Sequence, residues 1–175
     1  MTNLQTLRFS TPGPIEPLLL ISTIDEALAT IGRVEQTLAN RGTPCHSGNA
    51  LGSLFAKVRR LKNPSKPLND EQWHAIFPQA NEAIRIARAI EVALEDVGSR
   101  EAIHRITRSD INLSKRKQSR GKDALWELDL YRRFKLGNVK VRFDEPDLVV
   151  SLGKEFGDYG ISCKKIYFEK TFSTG

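Results

Sequence analysis

Apolar residues recur at helical spacing through the first half of the chain. From Ile24 to Leu38 they fall three or four residues apart, which predicts a helix with one buried face and an end near Gly42. The same spacing between Leu51 and Leu61, ahead of Pro64, predicts a second helix.

Two more helical segments follow before residue 110. Asn69 is suited to cap a short helix through Phe77, and Pro78 is expected to interrupt it because proline lacks a backbone N–H. The segment 81–98 has a clean apolar face and predicts a long helix, and residues 100–108 predict a short one. The first half is therefore expected to be a helical bundle.

The last third of the chain changes from helical to alternating spacing. "DALWELDLYRRFKLG" predicts a helix that ends at Gly137. "NVKVRF", "PDLVVSL" and "ISCKKIYF" each predict a strand, and the glycine-rich "GKEFGDYG" predicts the turn between the last two. The predicted fold class is α+β, a helical bundle followed by a helix and a three-stranded antiparallel sheet.

Charge is also unevenly distributed along the chain. The net charge is +6, and all of this excess lies in residues 100–175. A polar basic run predicts a linker over 111–121, between a helical domain at 1–110 and an α/β domain at 122–175. Its cations are candidate phosphate contacts, together with one lysine near the C-terminus: Lys115, Arg116, Lys117, Arg120, Lys122 and Lys165. The alternative interpretation is a solvated surface without a ligand.

Composition narrows the class of protein. Hydrophobic residues make up 39% and charged residues 27%, which is typical of globular proteins. The longest apolar run, 17–21, is far shorter than the roughly 20 residues of a membrane span, so no membrane partner is expected. Cys45 and Cys163 are too few for a disulfide framework, which favours a reduced, cytoplasmic protein. Trp73 and Trp126 are expected to pack in the core.

Four residues of the last third occur in an order known from one enzyme superfamily. Glu127 lies on the helix in "LWELDL", Asp147 begins a strand in "EPDLVV", and "ISCKK" carries Ser162 and Lys164 two positions apart. This order resembles the PD-(D/E)xK nucleases, or restriction-endonuclease-like proteins, over about residues 120–170. Ser162 stands where that family has an acid or a glutamine.

The resemblance implies a function and a site. It implies metal-dependent hydrolysis of phosphodiester bonds by an endonuclease, with DNA as the expected nucleic acid. Glu127 and Asp147 would hold Mg²⁺ or Mn²⁺, and Asp147, Ser162 and Lys164 would be the catalytic residues. Carboxylates suit Mg²⁺, and a lysine beside the metal can orient the attacking water.

The resemblance also implies an incomplete core. Eleven residues follow Lys164, so the family's last helix and strand are expected to be missing. Residues 122–175 would then be a partial nuclease-like domain, with a second copy or a partner protein completing the sheet. Because Ser162 is a weaker metal ligand than a carboxylate, weak or absent cleavage is expected. Two alternatives stay open, a non-catalytic nucleic-acid-binding module and a helical partner-docking protein that carries a nuclease remnant.

Overall fold

A computed structural model describes residues 24–62, 69–113, 115 and 117–163. Within these residues, five α-helices and a three-stranded antiparallel sheet form an α+β fold, as the sequence predicts. The elements are α1 Ile24–Asn40, α2 Ala50–Lys62, α3 Asp70–Ala93, the 3-10 turn Val97–Ser99, α4 Arg100–Arg108, α5 Arg120–Leu136, β1 Lys140–Asp144, β2 Asp147–Ser151 and β3 Asp158–Ile161.

The third helix does not stop where the sequence predicts. Asn69 caps it with a complete capping box, accepting from the Gln72 amide while its own amide donates to the Gln72 side chain. The helix then runs through Pro78 to Ala93, so the prediction of an interruption at Pro78 is wrong. Proline removes one backbone hydrogen bond, whereas the face from Ala80 onwards is buried in the core and stabilises the helix beyond Pro78.

One continuous core joins the helices to the sheet. Its buried residues extend from Ala27 in α1 to Leu148 in β2 and Cys163 just after β3. Helix α5 packs against both α3 and α4 and carries β1 and β2 on another side. The predicted linker therefore connects two parts that share buried surface, while the division into two domains stays a prediction. No helix within the described residues is long and apolar enough to cross a membrane.

The sheet is the predicted antiparallel meander, with β2 in the centre. Val141 pairs with Val150 across β1 and β2, and Ser151 pairs with Asp158 across β2 and β3. Gly153 and Gly157 adopt positive φ angles of 95° and 74° in the connecting turn, a conformation that favours glycine.

The third strand begins earlier than predicted. It covers Asp158–Ile161, whereas the sequence pattern centres it on residues 161–168. The six-residue turn 152–157 is closed by hydrogen bonds from Leu152 to the Gly157 carbonyl at 3.0 Å and from Gly157 to the Gly153 carbonyl at 2.9 Å, so pairing with β2 begins at Asp158. Lys164 and Lys165 lie outside the described residues, so the structure does not place them.

Asp96 attaches the sheet to the helices. Its carboxylate accepts hydrogen bonds from the Gly98 amide at 2.8 Å and, across 47 residues, from the Phe143 amide at 3.4 Å. The Phe143 ring stacks on Tyr131 of α5 with ring centroids 4.5 Å apart. Burial, together with the charge of Asp96 and a hydrogen bond to it, raises the pKa of Tyr131 to about 12. These contacts fix β1, and through it the whole sheet, on α5.

Candidate functional site

The helical glutamate of the predicted site is buried and paired. Glu127 lies on the face of α5 that meets α4 and is only 2% exposed. Arg105 of α4 donates to both of its carboxylate oxygens, from Nη1 to Oε1 at 2.9 Å and from Nη2 to Oε2 at 2.6 Å. A carboxylate in this position keeps its charge only because the guanidinium accompanies it.

The pKa of Glu127 is influenced by Arg105 and by Asp147. Burial raises the pKa of this carboxyl, the hydrogen bonds and charge of Arg105 act to lower it, and the charge of Asp147 raises it further. Helix α5 packs against β2, the strand that Asp147 begins, which accounts for this interaction. The two residues that the sequence predicts as metal ligands therefore interact electrostatically, while their role as ligands stays a prediction.

Asp147 connects the start of β2 to the end of β3. Its Oδ2 accepts a hydrogen bond from the backbone amide of Cys163 at 2.6 Å and one from the hydroxyl of Ser162 at 3.2 Å. Ser162 is exposed and Cys163 is buried, which matches the predicted alternation. Of the four predicted site residues, Asp147 and Ser162 are therefore in contact, Glu127 is affected by the charge of Asp147, and Lys164 lies outside the described residues.

Cys163 contributes no reactive thiolate to this group. Burial, with the nearby charges of Glu127 and Asp147, raises the pKa of its thiol to about 12. A thiol that stays protonated at neutral pH is a poor nucleophile and a poor metal ligand. Its role in the described structure is to fill the core behind the site.

The described donors do not offer a complete site for Mg²⁺. Both oxygens of Glu127 are occupied by Arg105, and one oxygen of Asp147 is occupied by the Cys163 amide and Ser162. No group of three or more His, Cys, Asp or Glu within the described residues is arranged to hold a metal ion. Mg²⁺ typically takes six oxygen ligands. Because Arg105 donates to both oxygens of Glu127, this carboxylate could become one of those ligands only if Arg105 moved away.

The basic segment is anchored by one of its own lysines. Lys122 is fully buried in the first turn of α5, and its ammonium donates to the backbone carbonyls of Lys115 at 2.6 Å and Lys117 at 2.5 Å. Ser119 caps α5 and donates to the carbonyl of Asp110 at 2.5 Å. Lys122 is predicted as a phosphate contact, but its ammonium is buried and donates to the backbone of residues 115 and 117. It is therefore not exposed to a phosphate in solution.

The side chains of the anchored segment face an open hollow. Lys115 and Lys117 line it together with Arg108 at the end of α4 and His46 before α2, and its volume is about 930 Å³. Asp110 is the single acid among the described lining residues, so three cations face one carboxylate. We call this surface the basic hollow. Arg120 is exposed at the start of α5, and Arg116 lies outside the described residues.

Comparison with protein-family models, with curated proteins and with solved structures finds no match to this chain.

Proposed function

We propose that this chain binds nucleic acid through the basic hollow, with DNA as the expected ligand. The observation that carries the proposal is the anchoring of Lys115 and Lys117 by the buried ammonium of Lys122. Because the backbone of this loop is held by Lys122, the loop loses less conformational entropy on binding than a free basic tail would.

The shape and charge of the basic hollow suit a phosphate backbone better than a single small anion. Its volume of about 930 Å³ is open to solvent, and its cations come from two separate segments, at Arg108 and at 115–117. Successive phosphates of a strand can contact such separated cations, with release of their counterions.

The test compares two double variants of equal charge. Lys115→Ala/Lys117→Ala removes two cations of the anchored loop, while the control Lys140→Ala/Lys154→Ala removes two exposed lysines, one from β1 and one from the β2–β3 turn. Affinity for a labelled DNA duplex should fall at least about tenfold in the first variant at moderate salt and stay within about twofold in the control. Equal affinities of the two variants would refute the proposal.

A second candidate function is metal-dependent phosphodiester hydrolysis, as in PD-(D/E)xK nucleases. The observation in its favour is the contact of Asp147 with Ser162, together with the effect of the Asp147 charge on Glu127. Arg105 weighs against it, because this residue donates to both carboxylate oxygens of Glu127. Weak or absent cleavage is therefore expected of the chain as folded.

The hydrolysis proposal has a direct test. In a DNA cleavage assay with Mg²⁺ or Mn²⁺, Asp147→Asn should abolish any activity and leave DNA affinity unchanged, because Asp147 does not line the basic hollow. Cleavage by Asp147→Asn at the wild-type rate would reject this candidate. A cytoplasmic location remains part of the proposal and accords with Cys45 and Cys163 both being free.

A further inference from the structure

Two arginines pair with one buried carboxylate where α3 packs on α5. Asp129 has only 3% of its side chain exposed, and it accepts from Arg85 of α3 at 3.1 Å and from Arg133 one turn on at 2.9 Å. Burying this carboxylate is possible because two guanidinium groups neutralise it.

Two further arginines make the cluster strongly positive. Arg88 and Arg132 are partly exposed, and neither forms an ion pair with a carboxylate of the described residues. Burial lowers the pKa of Arg132, the charge of Asp129 opposes this, and Arg88 and the other arginines lower it again by repulsion. Arg132 is thus influenced by the charges of three arginines and one carboxylate, two of these arginines being the partners of Asp129. We call Arg85, Arg88, Arg132 and Arg133 the arginine cluster.

The arginine cluster adjoins a small pocket with an aromatic wall. It is lined by Trp126, Asp129, Leu130 and Arg133 of α5 and by Ile161, Ser162 and Cys163 at the end of β3, and its volume is about 210 Å³. Trp126 is 38% exposed, so the expectation that it packs in the core is wrong. We call this the Trp126 pocket.

We propose that the arginine cluster and the Trp126 pocket together bind an unpaired nucleic-acid strand. Arg88 and Arg132, which have no carboxylate partner among the described residues, suit phosphate oxygens, and the partly exposed indole of Trp126 suits stacking with a base. Arg133 lines the Trp126 pocket and pairs with Asp129, so the pocket borders the arginine cluster and a phosphate and its adjacent base can be held at the same time.

The strand must be unpaired because the bases of a duplex are stacked within it and do not reach a side chain in a pocket. The inference rests on the proposed function in taking nucleic acid as the ligand. It extends that function to a second surface with a preference for single strands. Such a strand would also pass Ser162, whose hydroxyl contacts Asp147.

The test measures the affinity of a labelled oligothymidine and of a duplex of equal length. Trp126→Ala should weaken binding of the single strand by at least about fivefold, because stacking on one aromatic ring contributes about 1–3 kcal/mol. Binding of the duplex should change less than about twofold. Trp126→Phe, which keeps an aromatic face, should show an intermediate loss.

The cationic half of the site is tested separately. Arg88→Ala/Arg132→Ala keeps both partners of Asp129, so the buried carboxylate stays neutralised. For the single strand, the slope of log affinity against log salt should fall in magnitude by about 0.7 per lost phosphate contact. The matched controls are Arg60→Ala/Arg100→Ala, two exposed arginines elsewhere, and Phe156→Ala, an exposed aromatic residue on the β2–β3 turn.

The outcomes separate this inference from the proposed function. Unchanged single-strand binding in Trp126→Ala and in Arg88→Ala/Arg132→Ala would overturn the inference. If Lys115→Ala/Lys117→Ala still weakened duplex binding, the proposed function would stand alone. Equal losses for single strand and duplex in Trp126→Ala would also overturn it, since stacking requires an unpaired base.

Discussion

Arg105 of α4 donates hydrogen bonds to both carboxylate oxygens of Glu127 on α5, at 2.9 and 2.6 Å. The two residues are 22 positions apart in the chain. The pair lies at the junction of two helices, with Glu127 2% exposed and the Arg105 side chain 23% exposed. The pair connects α4 to α5, and it places a positive charge beside a carboxylate whose pKa is also raised by the charge of Asp147. A protein cation therefore occupies Glu127, the residue that the sequence suggests as a metal ligand.

Removing the guanidinium should destabilise the fold. Arg105→Ala leaves the buried Glu127 unpaired, and we expect a loss of about 2–4 kcal/mol in the free energy of unfolding, because an uncompensated buried charge is costly. Urea unfolding followed by circular dichroism measures this loss. The control is Arg33→Ala, whose ion pair with Glu91 is exposed and should contribute less than about 1 kcal/mol. Equal losses in the two variants would mean that the buried pair stabilises no more than a surface pair.

The loss in Arg105→Ala should depend on pH. The pKa of the Glu127 carboxyl is raised in the folded protein above its ordinary value of 4.5. Protonation of Glu127 therefore stabilises the folded state below pH 4.5, and this stabilisation is lost as pH rises through the folded-state pKa. Without Arg105, which acts to lower this pKa, the folded value rises further. The stability difference between wild type and Arg105→Ala should therefore be smaller at pH 4 than at pH 7.

A non-titrating residue provides the control for this pH effect. On a Glu127→Gln background, Arg105→Ala should cost the same at both pH values, because position 127 no longer binds a proton. Urea unfolding at pH 4, 5, 6 and 7 gives the comparison. A pH-independent cost of Arg105→Ala in the wild-type background would show that Glu127 does not carry the coupling.

Lys122 should act as an anchor and not as a phosphate contact. Lys122→Met keeps the apolar stem but removes the donors to the carbonyls of Lys115 and Lys117. We expect a loss of about 1–3 kcal/mol in the free energy of unfolding, since these are hydrogen bonds from a charged group. Unchanged stability with a reduced salt dependence of DNA binding would instead indicate a direct contact with phosphate.

Much of the fold follows from local patterns in the sequence. Helix α1 buries Ile31, Val34 and Leu38 at the predicted spacing, and Gly42 follows it with a φ of 73°. Alternating residues of β1 turn inward, and Gly153 and Gly157 allow the predicted hairpin. These features depend on neighbours a few residues apart, which a sequence displays directly.

The contacts that the sequence does not predict are made either with the backbone or with residues far away in the chain. The burial of Lys122 is compensated by two carbonyls, and every residue has a carbonyl, so no side-chain pattern marks it. Glu127 is named by its motif, but its partner Arg105 lies on another helix at no characteristic spacing. Arg85 of α3 reaches Asp129 of α5 only because the two helices pack against each other.

The salt dependence of DNA affinity tests the central proposal most directly. If Arg108, Lys115 and Lys117 contact phosphates, the wild-type protein should show a slope of log affinity against log salt of about −2.7 or steeper, at about −0.9 per contact. In Lys115→Ala/Lys117→Ala the slope should become shallower by about 1.8. A wild-type slope near zero, or the same slope in both proteins, would contradict binding through the basic hollow.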